Sequence, residues 1–410
     1  MKPRTVIFLW IIVLALGISV YAFKKSAGND LKTTTKRSAG EKLIPDFPAK
    51  EISSINIADA DSSVTLQEKD GNWSVVERDG YKAHSNEIIG FLRTLINLKV
   101  TQGIEAGPSF APRFGMDEKS PDPTQHGITA TFKDASGKSL ATVSFGKNLN
   151  SSSASSSPFG GGSVGRFVRN HADESGFYAV SELFPSLSAD PKNWLAEDFF
   201  KIEKIQSITL TQPGSDKNEW ELERDTEEAD FKFTSAFPGV KIDPAAIASL
   251  KSFFSYAKFD DVVPTAEIEK RATPEKLQIA TFKTFEGLTY VLKLQPSKSN
   301  SENYLLNIKA SGELPVKRKP AENEKPEDAA AADKAFEERC KALTENIAQA
   351  KKLEPITFEV SKFTVDALLK SRTDLMDKGP GPQGPQGHPQ ALPGSGLGPV
   401  FSPPISAPEQ

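Results

Sequence analysis

Residues 130–146, "ATFKDASGKSLATVSFG", read as a β-hairpin. In the strand that opens it, Thr129, Thr131 and Lys133 alternate with Ala130 and Phe132, the pattern of a strand covered on one face. The same hairpin returns 150 positions later as "ATFKTFEGLTYVLKLQ", residues 280–295. Working outward from these two stretches, other elements recur in the same order. "EISSINI" at 51–57 matches "KIQSITL" at 204–210, with Ile52, Ile55 and Ile57 over Ile205, Ile208 and Leu210. "VTLQEKDGNWSVVERD" at 64–79 matches "SDKNEWELERD" at 215–225, with Trp73 over Trp220. Asp70-Gly71 suits a tight turn whose two central residues take positive φ.

A helix follows in each copy. In 83–100, Ile88, Phe91, Leu95 and Leu98 share one face; in 242–259, Ile247, Leu250, Phe254 and Ala257 do the same. Asp243-Pro244 is a helix start: a carboxylate cap, then a proline where no amide donor is needed. His84 stands where the second copy has Asp243. A further strand follows each hairpin, at 165–170 and 303–309. Each copy then closes with a strand running into a short helix, at 177–187 and 358–369, with Val180-Ser181 over Val360-Ser361. The fold class expected is α+β: two similar tandem modules, 44–198 and 199–377, each an antiparallel sheet with a covering helix.

The second module carries extra chain at 315–354. Its "DAAAADKAFEERCKALTENIAQAKKL", 328–353, is rich in strong helix formers, with Phe336, Cys340, Leu343, Ile347 and Ala350 on a narrow stripe. The expectation is a helix packed on its own module, with a partner-binding helix as the sharper reading. Cys340 lies on that stripe and reads as a packed side chain. As the single cysteine of the chain, it makes no internal disulfide and no cysteine-rich zinc site.

Outside the modules the text changes character. Residues 6–23, "VIFLWIIVLALGISVYAF", hold no charge and are flanked by Lys2, Arg4, Lys24 and Lys25. At about 1.5 Å per residue such a helix spans a bilayer core of about 30 Å. Residues 1–23 read as a membrane anchor, contacting membrane lipid; a signal peptide cleaved after Ala22 is the competing reading. Residues 24–43 read as a flexible tether, and 378–410 as a disordered Pro/Gly-rich tail. The first segment of an exported protein leaves its amino end in the cytoplasm. The large domain is therefore expected outside the inner membrane, on a single-pass anchor.

The chemistry-bearing residues do not assemble into a motif. With 50 basic and 54 acidic side chains among 410 residues, the chain lacks the cationic excess of a nucleic-acid binder. The four histidines, His84, His126, His171 and His388, show no metal-ligand spacing, and no nucleophile elbow or Walker loop is present. Gly160-x-Gly162-x-x-Gly165 has the letters of a dinucleotide loop. A serine run precedes it and strand-like Arg166-Phe167-Val168 follows, which is the wrong context. Carboxylate pairs occur at Glu197-Asp198 and Asp260-Asp261; a hydrolase would need two of them buried in one pocket. No catalytic, metal or cofactor-binding residue is assigned. Two similar units meeting at a junction favour a groove, and a groove favours binding.

The runs "FPAKEISSINI", "VTLQEKDGNWSVVE", "IIGFLRTLINLKV", "FYAVSELFPSL" and "NWLAEDFFKIEKIQSITL" resemble the bacterial family labelled domain of unknown function 4340. The likeness runs over roughly 45–375, with the N-terminal anchor. It implies a non-enzymatic envelope accessory or scaffold protein, an auxiliary of an ABC-type or gliding-type system with a membrane-protein partner. The alternative is an extracytoplasmic module that binds envelope glycan or lipid in the groove between modules. No catalytic motif of that family is there to carry over.

Overall fold

Alternation of apolar and polar side chains produces strands throughout this chain, and they gather into two wholly antiparallel sheets. The computed structural model describes residues 17–19, 35–150, 162–173, 176–215, 218–235, 240–251, 254, 257–312, 318 and 326–377. In the first half lie β1 (Ser54–Ala58), β2 (Ser63–Lys69), β3 (Asn72–Val75), β4 (Tyr81–Lys82), β5 (Val100–Ile104), β6 (Ile128–Lys133), β7 (Ser139–Asn150), β8 (Ser163–Asn170) and β9 (Phe177–Val180). They line up as β4-β3-β2-β1-β6-β7-β8-β9-β5. The second half holds β10 (Ile205–Thr211), β11 (Trp220–Glu223), β12 (Lys232–Phe233), β13 (Asp261–Val263), β14 (Gln278–Thr284), β15 (Leu288–Pro296), β16 (Asn303–Gly312) and β17 (Thr357–Ser361). Their order is β12-β11-β10-β14-β15-β16-β17-β13.

The registers carry the duplication. Ile55 faces Phe132 and Ile57 faces Ala130; Ile208 faces Phe282 and Leu210 faces Ala280. Along the ladder Val143, Val168 and Tyr178 fall where Leu292, Leu306 and Phe358 fall, and Val180 overlies Val360 as the sequence suggests. Asp70 and Gly71 both take positive φ, 53° and 80°, making the expected tight turn between β2 and β3.

Two expectations change. Trp220 pairs with Leu210, the position held in the first half by Val64 opposite Ile57. Trp73 sits one strand further out, on β3. β11 is therefore the counterpart of β2, and the resemblance of the text around the two tryptophans is local. Second, the chain after β9 does not enter a helix, whereas after β17 it does. There, Ser361 caps the helix Lys362–Leu369 by accepting from the Thr364 amide at 3.3 Å. In the first half Phe184 takes φ 55° and turns its ring onto Phe145 at 4.8 Å.

Helix α1 (Ser85–Asn97) follows β4, and α2 (Pro244–Lys251) follows β12. Each runs to the far edge of its sheet and delivers the edge strand, β5 or β13. His84 caps α1 by accepting from the Glu87 amide; the Ala245 amide donates to Asp243 Oδ1 at 2.8 Å at the start of α2. The expected faces are the buried ones in Ile88, Phe91, Leu95 and Leu98 and in Ile247 and Leu250, but α2 is shorter than the 242–259 expected: it ends at Lys251, so Phe254, buried at φ 62°, and the half-buried Ala257 lie beyond it. Phe91 stacks on Phe132 at 6.0 Å and lies 6.1 Å from Phe145, so α1 covers the inner face of its sheet. The chain after each edge strand wraps onto the opposite face. Ala106, Ala111 and Met116 pack on Phe177; α3 (Thr265–Arg271) sets Ile268 against Val263 and Leu305.

Residues 35–43, expected in the tether, lie against the first half. Gly40 and Leu43 donate to the carbonyls of Val100 and Leu98 at 2.8 Å each, and the Leu43 side chain is buried. Arg37 makes two contacts of 3.3 Å with the buried Asp173, which also accepts from the Tyr178 hydroxyl at 2.8 Å. Among the described residues no helix is long and apolar enough to cross a membrane. The expected anchor at 1–23, apart from 17–19, and the expected tail at 378–410 lie outside the described residues.

Candidate functional site

The two halves meet through residues that sequence order keeps far apart, at the stretch where the first leads into the second. Trp194 and Ala196, which lead into the second half, bond with the chain at β4: the His84 amide donates to the Trp194 carbonyl at 2.7 Å and the Ala196 amide to that of Lys82 at 2.9 Å. Arg78 and Asp79, beside that stretch, reach across to β13 and α3. Arg78 donates through Nε and Nη2 to the Asp261 carboxylate at 2.7 and 2.9 Å. Asp79 accepts from the amide and hydroxyl of Thr265 at 2.7 and 2.8 Å. Burial opposes the Arg78 charge, but the hydrogen bond and charge of Asp261 outweigh it and hold the guanidinium pKa above its ordinary value. Between these contacts lies an aromatic seam: Tyr81 on Phe259 at 5.7 Å, and Phe199 on Phe358 at 5.0 Å and on Phe259 at 5.4 Å.

Above that seam opens a cleft of about 1150 Å³. Five separate stretches build it: 78–82, 198–203, 262–265, 284–290 and 346–357. The last comes from the insertion, a helix over Pro326–Leu353 (α4) that packs on β16. The stripe read from sequence is the one turned inward: Leu343 and Ala350 are buried, and Phe336, Cys340 and Ile347 half-buried. Only the second half has this element, so one wall of the cleft has no counterpart in the first.

The floor is apolar and aromatic, with Tyr81, Phe200, Val262, Leu288 and Tyr290 all buried. Tyr81 donates to the Asp198 carbonyl at 3.1 Å; burial, with the Asp198 charge, pushes its pKa up to about 12. Tyr290 is only 4 % exposed. Burial and the carboxylates of Glu286 and Glu203 raise it to about 12 as well. The rim is charged. Lys82 pairs with Asp198 at 2.5 Å, and Glu286 pairs with Lys204 at 3.4 Å and with Arg339. Lys201, Glu203 and Lys352 carry no ion pair among the described residues.

A second, smaller cleft of about 420 Å³ lies beside the same seam, lined by His84, Lys192, Glu197, Lys258 and Asp260 among others. The carboxylate pairs singled out in the sequence are distributed over these walls. Glu197 binds Lys258 at 2.8 Å, a hydrogen bond that lowers its pKa, and Asp198 and Asp261 are paired as above. Asp260 is exposed at the rim; partial burial and the neighbouring Glu359 raise its pKa. Two buried carboxylates do not converge in either cleft. Of the other histidines, His126 contacts the Ser120 carbonyl at 2.6 Å, and His388 lies outside the described residues. His171 reaches Ser144 Oγ through Nε2 at 2.7 Å. That Ser–His contact, which the sequence did not signal, is structural: Ser144 is 2 % exposed, and its oxygen also meets Thr129 Oγ1 at 2.9 Å. Among the described residues no group of three His, Cys, Asp or Glu side chains is placed to hold a metal ion. Of the three glycines with the letters of a dinucleotide loop, Gly160 lies outside the described residues and Gly165 belongs to β8. A Cβ on Gly165 would stand 2.1 Å from the Val180 carbonyl oxygen, so this glycine serves close strand packing.

Compared with known proteins, the chain matches the sequence model of one family, described as "Domain of unknown function (DUF4340)", over residues 73–278. That span runs from β3 to the start of β14 and includes Arg78, Asp79, Phe199, Asp261 and Thr265 of the junction, but not Phe358. Neither a curated protein nor a solved structure matches.

Proposed function

Since the chain belongs to the DUF4340 family, matched over half its length, we propose that it is a non-enzymatic accessory protein of the cell envelope whose work is binding. In this reading residues 1–23 anchor it in the inner membrane and the duplicated body lies outside. There it serves as a scaffold or auxiliary for a membrane complex of the ABC-transport type. The observation that carries the reading is the cleft of about 1150 Å³ at the junction of the halves. Its apolar floor and charged rim are contributed by both halves and by an insertion. Junction clefts of this composition are common sites of recognition. The test is affinity purification of the full chain from native membranes in mild detergent. A membrane-protein partner should co-purify in stoichiometric amount; repeated recovery of the chain alone would overturn the scaffold role.

The same cleft favours a second reading, in which the occupant is an envelope glycan or lipid. Melting of the full chain in detergent, with and without an extract of envelope components, tests it: a rise in the melting temperature is expected, and its loss in Tyr290→Phe would locate the effect.

A further inference from the structure

The chain enters the first sheet at its outer edge and is fastened there. Residues 35–43 run beside β5, the end strand of the nine. Besides the bonds from Gly40 and Leu43, the Val100 amide donates to the Glu41 carbonyl at 2.9 Å. The Asn170 side chain donates to the Leu43 carbonyl at 3.1 Å, and Arg37 holds Asp173. This strap needs Gly103: a Cβ there would stand 3.0 Å from the Arg37 carbonyl oxygen and closer still to Thr35 Oγ1. With residues 1–23 as the anchor, only residues 24–34 separate membrane from strap, a reach of at most about 40 Å. The second half joins the opposite edge, at β4, nine strands across, or about 40 Å at ordinary strand spacing.

Charge is distributed along the same direction. Residues 24–43 hold six basic and two acidic side chains, whereas the whole chain holds 50 and 54, so the remainder has a clear acidic excess. Lys42 and Lys99 face each other across an antiparallel bridge. Like charges set directly opposite repel. Both are exposed, as is Lys36, and none of the three has an ion-pair partner among the described residues. Two exposed anions share this edge, and neither pairs with these lysines. Glu41 accepts from the Ser38 amide at 2.7 Å, and Glu105 stands beyond the end of β5 remote from Lys99.

Resting on the anchor in the reading above, we propose that this strapped edge lies on the bilayer surface, where Lys36, Lys42 and Lys99 meet anionic lipid headgroups. An anionic surface attracts the strap and repels the acidic remainder, which fixes an orientation as well as a distance. The first half is then the membrane-proximal one. The large cleft is held about a sheet's width out, within reach of a partner's extracytoplasmic part.

The experiment uses the full chain with Cys340→Ala, reconstituted into phosphatidylcholine vesicles with or without phosphatidylglycerol and carrying a quencher on the lipid headgroups. A fluorophore is placed at Ala39→Cys on the strap or at Glu228→Cys, exposed between β11 and β12 at the far edge of the second sheet. Phosphatidylglycerol should deepen quenching at residue 39 and lessen it at residue 228. Lys42→Glu with Lys99→Glu, both on the surface, should reduce the oriented population about fivefold for each lysine lost. About 1 M salt, which screens charges beyond about 3 Å, should act likewise. Gly103→Val, which displaces the strap, should abolish the effect of phosphatidylglycerol with every lysine in place; if that variant fails to fold, the lysine pair carries the test. Quenching indifferent to phosphatidylglycerol at both positions, in a chain that floats with the vesicles, overturns the proposal and leaves the anchor standing. A chain that does not float with them removes the anchor, and the proposal with it.

Discussion

At the scale of single residues, the contacts joining the halves are the most exacting. The Arg78–Asp261 pair is bidentate and largely withdrawn from water, with side chains 13 % and 12 % exposed. Removing one partner of such a pair leaves the other charge stranded, at a cost of about 3–5 kcal/mol. Arg78→Met should lose stability of that order by urea denaturation, and Arg78→Met with Asp261→Leu should recover much of it; equal losses in single and double variants would show that charge pairing is not the cause. Trp220 is 1 % exposed and donates to the Lys370 carbonyl at 2.9 Å. Trp220→Ala should cost about 3–5 kcal/mol. His171 gives a pH dependence whose sign is fixed. Burial first, and the charge of Arg169 second, lower its pKa below 6.5 in the folded state. The unfolded chain then binds the proton more readily, so stability is intact above the unfolded value near 6.5 and declines as pH falls from there through the lower folded value. His171→Gln should flatten the wild-type curve over that window in denaturation measured as a function of pH.

At the scale of elements, the sequence was legible where alternation and helical spacing set the burial. The two hairpins, the closing strands and the stripes of α1 and α4 stand in the registers and faces expected, whereas α2 stops before the last two residues of its stripe, Phe254 and Ala257. What misled was text without register. "GNW" and "NEW" look alike, but Trp73 lies on β3 and Trp220 pairs with the residue equivalent to Ile57. Only the ladder distinguishes them. The cleft was legible as a groove between units and no further, because its lining comes from five stretches whose proximity depends on the packing of the halves. Two element-level variants follow. Gly90 is exposed in the middle of α1, and a Cβ there would meet nothing within 4 Å. Gly90→Ala should stabilise the protein by about 0.5–1 kcal/mol, measured by thermal or urea unfolding. The first half joins β8 to β9 through only six residues, 171–176, whereas the second joins β16 to β17 through the whole insertion. Replacing 313–356 with a turn of about six residues should leave a folded protein by circular dichroism, of lower melting temperature because Leu343 and Ala350 no longer pack.

At the scale of the whole molecule, one apolar core runs through both halves, from Leu43 and Ile55 to Phe358 and Leu375. Calorimetry should accordingly record a single cooperative transition; two separated transitions would mean that the seam is too weak to couple the sheets. The packing at that seam has a further consequence for the fate of damaged chains. A protease that cuts near residue 198 and lets the pieces part would strip β13 of Arg78, and a cut before Trp194 would strip β4 of residues 194–196 as well. Bare strand edges recruit other strands. Fragments corresponding to one repeat should therefore clump or be cleared in the cell, and a lineage that had come to depend on this shared seam could no longer divide the gene back into two independent proteins.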